Sequence, residues 1–307
     1  MARIAVIDTG TNSSRLLIAE GTGEGIREVV RQTTITRLGE GVDSRGRLSR
    51  EATGRVSACV AGYAATIGEL GTARSLVIAT SSVRDAENGE RFIAGLAASF
   101  GFEHRLLSGE EEAWLAFSGA TMDVDEGVKV LLFDVGGGST EIVAGRAEEV
   151  EFSSSMKMGC VRVRERFLRQ DPASASEISA AAEYIDHQLK EEVDHTHLRD
   201  LEMVLAVAGT VTTLAAIDLG LETYQRELVH GHRLSRARVD ELLSLLSGMT
   251  VAERLRIPVI EEGRADVITA GALIVSRLLA YLGIPEFTVS EHDILEGAAL
   301  ALAGNRL

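Results

Sequence analysis

Apolar positions along this chain follow two periods, one of strands and one of helices, and the order in which they alternate is played twice. Ile4 to Ile7 is short, apolar and β-branched, Arg15 to Glu20 resumes an apolar pattern, Gly21 to Gly25 is a turn, and Ile26 to Gln32 is a third candidate strand. Strand, loop, strand, turn, strand predicts a β-meander. Leu38 to Gly46 reads as a loop rich in glycine and charge. Ser49 then caps a helix through Leu70, with apolar residues at Val56, Val60, Tyr63, Ala64 and Ile67. Ser75 to Ala79 is a buried strand that ends in TSSVRDAENG, Asn88 to Phe100 a helix closed by Gly101, and His104 to Leu107 another strand. Ser108 and Glu111 have the S-x-x-E spacing of a capping box, which starts a helix running through Trp114 and Phe117 to about Gly119.

After a turn at Met122 to Gly127 the order begins again: the apolar run LLFDV, a glycine loop, then EIVAG and EEVEFSSS as a second meander. The remainder is more helical. Val161 to Gln170, Ser176 to Val193 and Ser235 to Ser247 are amphipathic, and Thr250 with Glu253 makes a further capping box. Met203 to Ala208 is a buried strand followed by Gly209, Thr210 and a helix from Val211. Ala265 to Leu282 is a long apolar helix, Phe287 to Ser290 a strand, and Ile294 to Ala303 a last helix. Buried strands alternating with helices indicate α/β architecture.

The two copies share more than rhythm. IAVIDTGTNSSR at 4–15 and LLFDVGGGSTE at 131–141 each run from an apolar strand through Asp, one residue and Gly to small hydroxyl residues. Glycine lets backbone amides converge on phosphate oxygens, and an acid at the strand end can hold a hard cation, so both loops suit phosphoryl chemistry. D-T-G after a strand is also how an aspartic protease presents a carboxylate. The three glycines of the second copy and the alanine-rich helices fit that rival poorly.

Composition narrows the field. The 307 residues are long enough for two domains, charged residues are 25% and hydrophobics 45%, and only 3 prolines occur. The formal charge of −15 argues against DNA or an anionic membrane surface as partner, because the mean field repels polyanions. Cys59 and Cys160 have neither metal spacing nor a disulfide framework. The amino terminus meets Asp8 too soon for a signal peptide, and no run reaches the roughly 18 apolar residues of a membrane span. A cytoplasmic protein is expected.

DTGTNSSR at 8–15, ATSSVRDAEN at 79–88, SGEEEA at 108–113, DVGGGSTE at 134–141, VAGTVTTLA at 207–215 and RADVITAG at 264–271 together resemble the exopolyphosphatase/guanosine pentaphosphate phosphohydrolase family, in that family's order and over essentially the whole chain. The resemblance implies two actin-like (ribonuclease H-like) α/β domains, 1–121 plus 293–307 and 122–292, with an interdomain active-site cleft. It implies Mg2+ or another divalent cation, held by Asp8, Asp134 and Glu141, and a homodimer. The reaction it implies is hydrolysis of the terminal phosphoanhydride of inorganic polyphosphate, or removal of the 5′ γ-phosphate of guanosine pentaphosphate. Nothing in the sequence decides between these substrates. A nucleotide-dependent kinase of the superfold and a sensor that binds nucleotide or polyphosphate without turnover are the other readings.

Residue roles follow the same resemblance. Thr11, Asn12, Ser13 and Arg15 in the first loop, and Gly136, Gly137, Gly138 and Ser139 in the second, are expected to cradle phosphates, with local turn capping as the alternative for Ser13 and Ser139. Glu110 favours the helix dipole and Glu111 is the capping-box partner of Ser108, which leaves Glu112 without a local duty. The family's general base falls on Glu112, its second acid on Glu141 and its arginine on Arg84; a solvated helix face remains the alternative for Glu112. Arg162 stands in a basic run with Lys157, Arg164, Arg166 and Arg169 that is either a phosphate track or the wet face of a helix. Gly209 and Thr210 open a helix where an anion commonly docks. His230 and His232 read as loop histidines. Two departures stand out: Leu295 occupies the place where the family often carries Arg, and the chain lacks the extra helical domains of long members, so processivity on long chains is not expected.

Overall fold

A computed structural model describes residues 2–23, 25–147, 149–194 and 198–307. The chain divides into two compact units, Met1–Gly119 with Asp293–Leu307, and Ala120–His292.

In the first unit β1 (Arg3–Thr9), β2 (Ser13–Thr22) and β3 (Gly25–Ile35) form the antiparallel meander. The turn expected at Gly21 to Gly25 joins β2 to β3, and Glu24 within it lies outside the described residues. Next come a four-residue helix α1 (Val42–Arg45), the long α2 (Arg50–Leu70), β4 (Arg74–Ala79), a second short helix α3 (Ser81–Arg84), α4 (Gly89–Phe100), β5 (Glu103–Leu106) and α5 (Gly109–Ala120). The sheet order is β3-β2-β1-β4-β5, with β4 and β5 parallel to β1. Ser49 caps α2 as its sequence suggests, its side chain accepting from the Ala52 N–H. Val56, Val60, Tyr63 and Ile67 then point one face of α2 onto Ile7, Leu16, Ile18 and Val77 of the sheet. Each such aliphatic side chain removed from water contributes roughly 1.5–3 kcal/mol.

The second unit repeats the plan. β6 (Val130–Val135), β7 (Thr140–Arg146) and β8 (Glu149–Met156) are the meander, followed by α6 (Cys160–Phe167), α7 (Ala175–Glu192), β9 (Met203–Val207), α8 (Ala208–Asp218), α9 (Arg226–Val229), β10 (Arg233–Ser235), α10 (Arg236–Ser247), α11 (Val251–Arg254), α12 (Ile268–Leu282) and β11 (Glu286–Val289). Its sheet runs β10-β11-β9-β6-β7-β8, so β8-β7-β6-β9-β11 retraces the strand order of the first sheet. Both second strands carry a register irregularity at the same place, after Ile18 and after Ala144. Phe133 and Phe287 meet edge to face at 5.1 Å between β6 and β11, and the buried length of α12 fills the core. The chain closes with α13 (Ile294–Ala303) in the first unit, lying on β1, β2 and β3. This repeated α/β arrangement is the one the resemblance implied.

Three expectations need correction. The loop expected at Leu38 to Gly46 contains α1. The helix expected from Val211 starts at Ala208, so Gly209 and Thr210 lie in its first turn. The helix expected from Ala265 starts at Ile268, because 261–267 close a series of turns, including Ala265 N–H to Glu261 O.

Candidate active site

In the first unit the site begins with a hairpin. Antiparallel register sets Asp8 at the end of β1 opposite Arg15 on β2. Arg15 Nε and Nη2 both donate to Asp8 Oδ2, at 3.0 and 2.8 Å, and Nη1 donates to Asp293 Oδ2. The guanidinium expected at a phosphate is thus engaged by two carboxylates. Asp8 is 4% exposed, and its Oδ1 has no hydrogen-bond partner among the described residues. Burial raises its proton affinity against the opposing pull of Arg15. The loop beyond is tight: Gly10 N–H donates to Ser13 O at 2.9 Å, and the Asn12 carbonyl accepts from both Thr36 and Arg37 N–H. Thr11 is buried against Gly39, where an added Cβ would stand 2.2 Å from Thr11 Cγ2 and 3.1 Å from Ser82 Cβ.

The same unit presents the acid–base pair. The capping box forms as its spacing predicts, with Ser108 Oγ accepting from Glu111 N–H at 3.1 Å and Glu111 Oε2 accepting from Ser108 N–H at 2.8 Å. That phase turns Glu112 inward, to 8% exposure. Arg84, at the end of α3, donates through Nη1 to Glu112 Oε2 at 3.0 Å and to Leu107 O at 2.7 Å. Burial pushes the Glu112 carboxyl up to about 7; Arg84 and Thr80 pull it back, and the charge of Asp8 adds to the rise. A solvated helix face is therefore not what Glu112 occupies. Ser82 Oγ, on the same short helix as Arg84, is buried and has no hydrogen-bond partner among the described residues.

In the second unit the equivalent hairpin sets Asp134 opposite Glu141, and Gly136 N–H donates to Ser139 O at 3.1 Å as Gly10 does to Ser13. Glu141 is 2% exposed and accepts from Ser155 Oγ at 2.7 Å. The glycine loop is held by the start of α6. Cys160 N–H donates to Gly136 O at 2.9 Å, Val161 N–H to Gly137 O at 2.9 Å, and buried Arg162 Nε to Gly138 O at 3.0 Å. In a planar trans peptide C=O and N–H point opposite ways, so three carbonyls turned to α6 turn the N–H groups of Gly137, Gly138 and Ser139 away from it. Consecutive amides presented in this way form an anion nest. Gly159 permits the contact, since a Cβ there would lie 2.3 Å from the Gly137 carbonyl carbon.

Arg162 donates to the glycine loop, while Arg166 lies over the Tyr184 ring at 5.6 Å and Lys157 and Arg169 are exposed. Thr210 Oγ1 donates to Val135 O at 3.2 Å, tying α8 to the end of β6. Gly209 has the Arg264 guanidinium where a side chain would go, and Ala208 before it has a φ of 74°. His230 rests on His292 with ring centroids 4.9 Å apart, and His232 Nε2 meets Asp218 Oδ2 at 2.7 Å. Leu295 is fully buried. Both cysteines are free. No cluster of three or more His, Cys, Asp or Glu side chains able to hold a metal occurs among the described residues, and no helix among them is long and apolar enough to cross a membrane.

A hard divalent cation that keeps its waters needs only one or two carboxylates from the protein. The unsatisfied, buried Oδ1 of Asp8 fits such an ion, and in the second unit Asp134 and Glu141 are the oxygen donors of the same kind. Gly159, Ser82 and Asp293 were not anticipated at the site. For Asp293 the sequence did hold a signal, the D-x-x-E spacing of a capping box at 293–296.

The model of the Ppx/GppA phosphatase family matches residues 17–305. Exopolyphosphatase 2 of Mycobacterium tuberculosis is 39% identical over 318 residues, covering 99% of both chains. Among solved structures, an exopolyphosphatase-like protein superposes with a TM-score of 0.92 at 36% identity, covering 99% of this chain and 100% of that one. An Aquifex aeolicus member of the Ppx/GppA family superposes with a TM-score of 0.83 at 27% identity, covering 99% and 98%. The chain belongs to the Ppx/GppA phosphatase family.

Proposed function

We propose that the protein is an exopolyphosphatase, releasing orthophosphate from the end of inorganic polyphosphate. The observation that carries this reading is Glu112: a buried carboxyl, tied to an arginine at 3.0 Å and lifted to about 7, has the proton affinity of a general base working near neutrality. A sensor that binds without turnover has no use for such a group.

In this reading water is the nucleophile. Glu112 takes a proton from it, the water oxygen forms its bond to the terminal phosphorus, and the bridging P–O bond breaks with its electron pair leaving on the shortened chain. Arg84 has donors beyond those given to Leu107 and Glu112, and these serve the negative charge on the phosphoryl oxygens. The amides of Gly137, Gly138 and Ser139 bind phosphate. Asp8 in the first unit, and Asp134 with Glu141 in the second, would hold Mg2+ or another divalent cation, which would supply charge neutralisation. The homodimer and cytoplasmic setting implied by the family belong to this reading, and light scattering checks the first.

The deciding measurement is phosphate release with Mg2+ from short polyphosphate, long polyphosphate, guanosine pentaphosphate and ATP, by the protein and by Glu112→Gln. Release from polyphosphate is expected, with kcat falling roughly 10²–10⁴-fold in Glu112→Gln while binding persists. Release from guanosine pentaphosphate alone would transfer the site to that substrate. An unchanged rate in Glu112→Gln would remove Glu112 as the base.

A further inference from the structure

Asp293 lies 278 residues from Arg15 in sequence and joins it in the first unit. It is 5% exposed and is the N-cap of α13, where its Oδ1 accepts from Leu295 N–H at 3.0 Å. Its own N–H donates to Glu296 Oε2 at 2.9 Å, and Glu296 in turn is ion-paired to Arg31. Asp293 therefore has no rotational freedom to speak of, and neither has the Nη1 edge of Arg15 that it holds.

Two consequences reach Asp8. The first is geometric: with Nη1 held by Asp293, Arg15 offers only Nε and Nη2 to Asp8, and both go to Oδ2. Oδ1 is left without a partner. The second is a charge count. Asp8 and Arg15 alone cancel, whereas two carboxylates around one guanidinium leave a buried surplus of one negative charge. Although burial by itself raises the Asp293 carboxyl, Arg15 and Arg31 hold it below the usual carboxylate range.

We propose that Asp293 is a positioning residue for the hydrolytic reaction: it holds Arg15 so that Asp8 keeps Oδ1 for the cation. The proposal rests on the functional reading above. Partners that orient a ligand carboxylate typically change metal affinity by roughly 10–100-fold when replaced.

Asp293→Asn is the diagnostic change, because Asn caps a helix about as well as Asp but places an NH2 donor where the second carboxylate oxygen accepts from Arg15. Binding of Mn2+, measured by calorimetry in the absence of substrate, is expected to weaken about tenfold or more, and the Mg2+ concentration needed for half-maximal phosphate release to rise in parallel. Melting temperature should stay within a few degrees, as a preserved cap requires. Asp293→Ser, another neutral capping residue, tests the same point should the Asn variant not fold. Equal Mn2+ affinity in the protein and in a folded neutral variant would overturn the proposal while leaving the exopolyphosphatase reading intact. Absence of phosphate release by the unsubstituted protein would instead overturn that reading, with the calorimetric comparison still deciding the role of Asp293.

Discussion

Glu110, Glu111 and Glu112 are identical in side chain, and their different environments come from the phase of one helix. The capping box takes Glu111, and Glu112 is turned inward to Arg84. Its raised proton affinity predicts that kcat/KM rises with pH and levels off above about 7, which a pH–rate profile of phosphate release checks. The same shift bears on stability with a definite sign. A carboxyl that holds its proton more tightly when folded weakens the fold as pH rises from its ordinary value of 4.5 to about 7, and the loss is complete above that. Glu112→Gln should therefore melt above the unsubstituted protein at pH 8 and level with it near pH 4.5. The same difference at both pH values would refute the burial argument. Glu112 was singled out through the family resemblance, and the capping box that sets its phase was legible in the sequence because S-x-x-E fixes where the helix starts. The engagement of Arg15 was not, since no local rule connects it to a carboxylate at the far end of the chain.

At the scale of elements, the glycine loop depends on α6 for its shape. Gly159→Ala would drive a Cβ against the Gly137 peptide, and overpacking of this kind costs about 1–3 kcal/mol. The loop can yield only by moving its carbonyls from α6, so KM for short polyphosphate should rise several-fold with a lowered melting temperature; unchanged kinetics would mean that the amides of the loop do not bind phosphate. Caps and long amphipathic runs were readable here: Ser49, Ser108 with Glu111, and Thr250 with Glu253 act as their spacing predicts. The four-residue helices α1, α3 and α9 were not. A single turn leaves no periodic trace, and α3 is set by tertiary packing, with Gly89 pressed so closely on the Val83 carbonyl that a Cβ would stand 1.8 Å away. The start of α8 was misplaced because Ala208 adopts a positive φ, a conformation that sequence rules reserve for glycine.

For the molecule as a whole, a formal charge of −15 opposes the approach of a polyanionic chain. Screening should relieve that repulsion, the Debye length being about 10 Å at 0.1 M. At fixed free Mg2+, kcat/KM for polyphosphate is accordingly expected to increase as KCl is raised from about 20 to 200 mM. A steady fall would point to a basic track that outweighs the mean field. The twofold recurrence of one strand order, legible in the rhythm of the sequence, has a further use. In each meander the residue directly across from the loop aspartate is the seventh after it, Arg15 for Asp8 and Glu141 for Asp134. Seven places along the chain thus act as a ruler for charge balance. In a related chain with the same loop lengths, a cation at that place marks an aspartate held by a counter-ion, and an acid marks a pair of like charges; the ionic character of each half-site can be read off a bare sequence.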